Sequence, residues 1–346
     1  MNTILNLFRI SLVAVAVAVL AACGGGSDSV SSAVTSTPGA APSMGGTKIG
    51  TLAAGASPGV TAENCPLLNA PALNPPAITG ADMQAVSDIL LAVDPGHGYA
   101  EFARLPATFI WWVRSDGNAV DMLSLGAAVH ETNHKIDAAL RNLCNTDGLA
   151  RFFSDGQVHV TDLSRNDLLA NYSIVGETYP AGLKSSRSLR YDAYVTAAAS
   201  SSGNDLSILL DELNAYTGGA NLEARLFSNR TYAFLTVRAD ADAGGMADFM
   251  LFLQAYLKAA RLNHPATYAK LQAQTRTIGF IQFAWTRAEA MLAAIYPYST
   301  AAAANNPAQI SQEVISAIYS ADFLDELDKL GISHKTRADW ASTYLK

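Results

Sequence analysis

When residues 119–143 are wound at 100° per residue, Leu125, Val129, Ile136, Leu140 and Leu143 fall within about 40° of one line. A stripe so narrow over so many turns commits the stretch to one long helix packed on a core. His130 lies about 100° from the stripe and His134 about 140°, so the two imidazoles share a second face of the same helix. In the preceding turns Leu123 and Ala127 occupy that face. It therefore reads as a covered face that turns polar where the histidines begin, as the floor of a cleft requires.

Around this helix the chain is organised mainly by helical periodicity. ADMQAVSDILLAV (81–93) places Met83, Val86, Ile89, Leu90 and Val93 on one side, and DPGHG (94–98) stops it. ATFIWWVRS (107–115) is β-branched and aromatic, ends at Asp116-Gly117, and is expected to be a strand. Residues 148–164 suit a hairpin turning at Asp155-Gly156. DLSILLDELNAYTGG (205–219) reads as a helix starting at Asn204-Asp205 and stopping at Gly218-Gly219. Residues 229–241 suit a strand or a helix. A strongly apolar helix is expected over 245–262, with further helices over 265–296, 307–319 and 321–330. The expected fold class is mainly α with a small β-sheet (α+β), its last hundred residues acting as scaffold.

The N-terminus sets the domain boundaries. Arg9 precedes an apolar run, Ile10–Ala22, too short to span a bilayer and ending in small residues, as an export signal does. Leu20-Ala21-Ala22-Cys23 resembles the lipobox of bacterial lipoproteins. That resemblance implies cleavage before Cys23 and lipid on its thiol. With Gly24 rather than an aspartate next, it implies the outer membrane, the folded part facing the periplasm or the outside. Residues 24–60 are mostly Gly, Ser, Ala, Thr and Pro, and bury too little to repay ordering. The expected division is a signal peptide over 1–22, a tether over 23–60, a catalytic region over 61–245 and a helical scaffold over 246–346. A net charge of −7 without a basic patch argues against nucleic acid as a partner. Apart from Cys23 the chain holds only Cys65 and Cys144. In an exported chain they are expected to form a disulfide, adding about 4 kcal/mol over so long a loop.

His130, Glu131 and His134 spell HExxH. Two neutral imidazoles four residues apart can bind one zinc ion without cancelling its charge, and the glutamate between them can act as a base. The motif resembles that of the zincin metallopeptidases, which carry it on the active-site helix. The resemblance implies a zincin-like core, a Zn2+ cofactor, a peptide or protein substrate, and a nearby strand that binds substrate by its edge. Phe109–Arg114 would be that strand, or else an internal core strand. No glycine and third histidine follow His134, so the metzincin pattern is absent. The gluzincin pattern instead draws a glutamate from a later helix. Glu212 is expected in that role, at the edge of the stripe of Leu206, Leu209, Leu210 and Leu213, with Tyr216 one turn on. Asp211 points away from that stripe. Glu177 in VGETYP is the alternative. Tyr194 or Tyr191 is expected to serve the oxyanion, as a tyrosine does in many zincins. Asn133 and Asp137 are expected to orient the ligands, and His97 and His159 to lie on the surface.

The expected function is zinc-dependent hydrolysis of peptide bonds by a lipid-anchored envelope protein. Two alternatives remain open: a non-enzymatic envelope binding lipoprotein, and a zinc hydrolase of a non-peptide amide.

Overall fold

A computed structural model of the chain describes residues 81–114, 120–122, 124–143, 149–154, 157–164, 168–187, 190–199, 205–229, 241–299 and 310–343. The described residues open with three helices, α1 (Ala81–Val93), α2 (Gly98–Arg104) and α3 (Pro106–Trp112). Then come α4 (Ser124–Leu143) and the strands β1 (Leu149–Ser154) and β2 (Gln157–Ser164). Short helical turns α5 (Val175–Thr178) and α6 (Ala181–Ser186) lead to a π-helical turn, Tyr191–Thr196. The long helices α7 (Leu206–Ser228), α8 (Ala241–Asn263) and α10 (Thr275–Ser299) follow, with α9 (Pro265–Gln272) between the last two. Three short helices end the described chain: α11 (Gln312–Ile318), α12 (Ala321–Asp328) and α13 (Arg337–Thr343).

Helix α7 belongs to both hydrophobic cores. Its Leu222 and Leu226 join Val86, Leu90, Phe102, Phe109, Leu125 and Val129 in a cluster made with α1–α4. Its Leu209, Leu210, Leu213 and Ala220 join Met250, Leu253, Trp285 and Leu292 in a larger cluster made with α8, α10 and the C-terminal helices. Apolar area removed from water at about 25 cal/mol per Å² is the main favourable term in both. The side chain of Asp205 caps the start of α7 by accepting from Ser207 N.

Several expectations about this architecture are corrected. The α+β class with a zincin-like core fails, because the chain is predominantly α-helical. Its only strands among the described residues, β1 and β2, pair as an antiparallel ribbon with no third strand, which is not a sheet layer. The expected strand at 107–115 is instead α3. Pro106 sits at its first turn, where the missing N–H costs nothing, and Phe109 is fully buried edge-to-face on Phe102, centroids 5.4 Å apart. A short apolar run has no periodicity that separates a strand from a buried helical turn. Nor does any edge strand stand here to seat a substrate.

A further correction concerns α7, which does not stop at Gly218-Gly219 but continues to Ser228. A Cβ at Gly218 would lie 2.8 Å from His97 Cε1, and one at Gly219 would lie 2.5 Å from the Asp242 carboxylate. These glycines are inside the helix for close approach, not for turning. The disulfide expectation is also withdrawn. No disulfide forms among the described residues, and Cys65 and Cys144 lie outside them, as does Cys23.

The two kinds of helical glycine should respond oppositely to the same change. Alanine is favoured over glycine in a helix interior by about 1 kcal/mol. At exposed Gly279 in α10 a Cβ meets nothing within 4 Å, so Gly279→Ala should stabilise by about 0.5–1 kcal/mol. Gly219→Ala should instead destabilise by about 1–3 kcal/mol, because the Asp242 carboxylate must move. Urea unfolding of the two variants beside the parent checks both signs.

Candidate metal centre

His130 and His134 stand one turn apart on α4, and Glu212 faces them from α7. Together they form a group of three side chains able to hold a metal ion. The Nε2 atoms of the two imidazoles are 3.0 Å apart. Glu212 Oε2 lies 3.6 Å from each. A triangle with these sides has a point about 2.0 Å from all three corners, which matches the bond lengths zinc takes to imidazole nitrogen and carboxylate oxygen. Glu212 Oε2 is buried and has no hydrogen-bond partner among the described residues. A buried acceptor of this kind, between two ring nitrogens, fits a cation. The donor set of two nitrogens and one oxygen suits zinc, and three protein ligands leave one position open.

The outer nitrogen of each ring meets an aspartate. His134 Nδ1 is 3.0 Å from Asp211 Oδ2. His130 Nδ1 is 3.4 Å from Asp242 Oδ1. With Nδ1–H bonded to Asp211, the His134 ring presents Nε2 to the shared point, while at His130 the Asp242 carboxylate stands at ion-pair distance rather than in a hydrogen bond. Such a hydrogen bond fixes tautomer and ring orientation and raises ligand basicity. Asp242 reaches His130 from the first turn of α8 through a gap between two helices. A Cβ at Gly126 of α4 would lie 2.6 Å from its Oδ2, and one at Gly219 of α7 2.5 Å from it. The cover over the histidines therefore comes from α7 and α8. Ala127, expected to share in it, is exposed.

These surroundings also set the protonation. Burial alone pulls the His134 imidazole down, but Asp211 and Glu212 outweigh it and hold the ring well above its ordinary value. His130 is likewise pulled down by burial and raised in net by Asp242 and Glu131. Glu131, next to the ligands on α4, is pushed up by burial despite the two imidazoles. A carboxyl group moved toward neutrality in this way can both take and return a proton.

The other expected residues separate. Tyr194 is brought in: its hydroxyl is 3.1 Å from that of Tyr216, whose ring stacks edge-on against His130 at 4.2 Å. After burial, the Glu212 charge is the main influence raising the Tyr194 phenol well above its usual value. Tyr191 is not brought in; it packs on Tyr179, centroids 5.1 Å apart, and under Lys184. Glu177 pairs with His264 at 2.9 Å on the exterior and does not join the cluster. Asn133 serves a different group, donating to Glu101 at 3.0 Å and accepting from Asn214 at 3.1 Å. Asp137 is buried. His97 is buried rather than on the surface, and His159 packs on Phe283 at 4.0 Å.

Nothing in the sequence points to Asp242, and Asp211 reads from it only as turned away from the apolar stripe. A partial signal for Asp211 lay in its adjacency to Glu212, but the direction it takes depends on where α4 packs. No protein-family model, curated protein or solved structure matches the chain.

Two results are expected. Asp211→Asn should weaken zinc binding by about 10–100-fold, the usual effect of losing such a partner, whereas Glu177→Ala and Tyr191→Phe should leave it unchanged. Competition with a chromophoric chelator measures this. The second concerns acidity. An imidazole whose folded value is raised contributes stability that is fully present below its unfolded value near about 6.5 and is lost as pH rises through the folded value. His97, His130 and His134 all shift in this sense. Chelator-treated protein should therefore melt at a lower temperature at pH 8 than at pH 6. Saturating zinc, which displaces the protons, should raise the pH 8 value most.

Proposed function

We propose that the chain is a zinc-dependent hydrolase of peptide bonds, held at the outer membrane by lipid on Cys23. The observation that supports it best is the convergence of His130 Nε2, His134 Nε2 and Glu212 Oε2 on one point, with the half-buried Glu131 beside them. Bound there, a zinc ion would supply Lewis acidity toward a substrate carbonyl. Glu131 takes a proton from water as the water's oxygen attacks the carbonyl carbon, and later delivers that proton to the leaving amine. Tyr194, kept in its phenol form by burial and by the Glu212 charge, donates a hydrogen bond to the oxygen on which negative charge develops. Asp211 and Asp242 hold the two imidazoles in the orientation that keeps the third ligand in reach.

The choice of a peptide bond over another amide rests on the zincin resemblance of the motif. The anchor rests on Leu20–Cys23. No helix among the described residues is long and apolar enough to cross a membrane. A second reading, a metal-binding envelope protein without catalysis, draws on the burial of His130 and Glu212, since a ligand set this enclosed restricts substrate access.

Glu131→Gln separates the two readings. On the enzymatic reading it keeps near-stoichiometric zinc and loses hydrolysis of a mixed peptide library by about 10²–10⁴-fold. His130→Ala and His134→Ala lose both. If the parent, fully loaded with zinc, leaves the library intact, the peptidase reading fails; cleavage of small non-peptide amides in its place would support the non-peptide alternative. Cys23→Ser should move the protein from the membrane to the soluble envelope fraction, and unchanged membrane association would remove the lipid anchor.

A further inference from the structure

Apart from the metal centre, the structure holds a second polar enclosure, between the α1–α2 junction and helices α7 and α10. It is a cavity of about 280 Å³ lined by Asp94, Gly96, His97, Asn221, Arg225, Arg287 and Met291. We propose that this cavity binds a small oxyanion, a phosphate or a carboxylate. The proposal does not rest on the metal centre.

The charges of the lining carry the argument. Two guanidinium groups and one imidazole converge on the space against a single lining carboxylate, Asp94. That carboxylate is already committed. Its Oδ2 accepts from Asn221 Nδ2 at 2.9 Å and from Gly98 N at 3.0 Å, and its Oδ1 is 3.2 Å from Arg225 Nε. Arg225 makes both of its polar contacts through Nε, the second to Asn221 Oδ1 at 3.1 Å. Its two Nη groups, four N–H donors, have no partner among the described residues, and half of the side chain is open to solvent. Across the cavity the buried Arg287 is held in place by Asn214, which accepts from its Nη1 at 3.3 Å. Burial alone would pull the His97 imidazole down, but Glu101 behind it and Asp94 beside it hold it above its usual value.

A planar, fixed guanidinium fork is the protein group best matched to carboxylate and phosphate oxygens. One exposed fork at the mouth and one buried fork at the back make a clamp for a group with two or three oxygens. The volume falls below the ~300–1,000 Å³ usual for drug-sized ligands, so the occupant is a small molecule or the anionic end of a larger one. The back wall is rigid. Asn214 donates to Asn133, Asn133 to Glu101, and Glu101 stands 3.4 Å from His97 Nε2. Lining groups fixed before the ligand arrives lower the ordering entropy of binding.

The test is isothermal titration of the full chain with inorganic phosphate and, separately, with acetate, at an ionic strength held constant with chloride. Saturable one-site binding of either probe is expected, and the stronger of the two identifies the oxyanion class. Arg225→Gln should weaken it at least tenfold while zinc content stays at the parental level, which separates this site from the metal centre. Arg276→Gln, an arginine paired with Asp162 elsewhere, should bind like the parent. If Arg225→Gln does not fold by circular dichroism, Gly96→Leu takes its place. A Cβ at Gly96 meets nothing within 4 Å, so the added bulk alters the lining without removing a charge, and the same loss is expected. Absence of saturable binding for both probes, or binding at parental strength in the folded variant, overturns the proposal.

Discussion

Helix α7 lies against α4 closely enough for one carboxylate oxygen to stand 3.6 Å from two imidazole nitrogens, and the candidate centre depends on that closeness. Gly126 and Gly219 allow it. Between them passes the Asp242 carboxylate, which a Cβ at either position would strike. Asp242 faces the outer nitrogen of His130 at 3.4 Å, and Glu212 faces the inner one at 3.6 Å. A similar contact at Gly245 of α8 leaves room for the Tyr216 ring, which lies against His130. The absence of a side chain at these places decides where the charged side chains go.

Burying so many ionisable groups is costly unless each has a partner. The chain meets this by alternating signs. In the candidate centre two imidazoles stand among Asp211, Glu212 and Asp242. Around the α1–α2 junction, Asp94, His97 and Glu101 are joined to Asn133 and Asn214. Beyond Tyr216, Arg187 and Arg190 share the Asp248 carboxylate at 2.7 and 3.2 Å, and Arg190 lies over the Tyr216 ring.

Much of the centre was legible in residue spacing. A four-residue interval puts two imidazoles on one helical face whatever the tertiary fold, because it is set by the 3.6-residue turn. Glu212 was readable from its place at the edge of an apolar stripe. Asp211 was misread for a related reason. On a surface helix the direction away from the stripe is solvent, but α7 is buried almost all round, and for Asp211 that direction is α4. Tyr191 and Tyr194, three residues apart, could not be separated by sequence. The π-helical turn that carries both sends one toward Tyr216 and the other toward Tyr179.

By itself the sequence determined the helices with long amphipathic or apolar runs and the imidazole pair, because each follows from local periodicity; the resemblance to the gluzincins implied a later glutamate, and left Glu177 open beside Glu212. Only the tertiary structure decided that ATFIWWVRS is a helix and that Gly218-Gly219 lies within one. The first depends on whether Phe109 meets Phe102 or a strand partner, and the second on whether His97 and Asp242 approach the backbone. Both are contacts between residues far apart in the chain, and propensity carries no information about them. The aspartates behind the histidines belong with these. A carboxylate orients an imidazole only across a distance of about 3 Å, and the packing of α7 and α8 on α4 is what sets that distance.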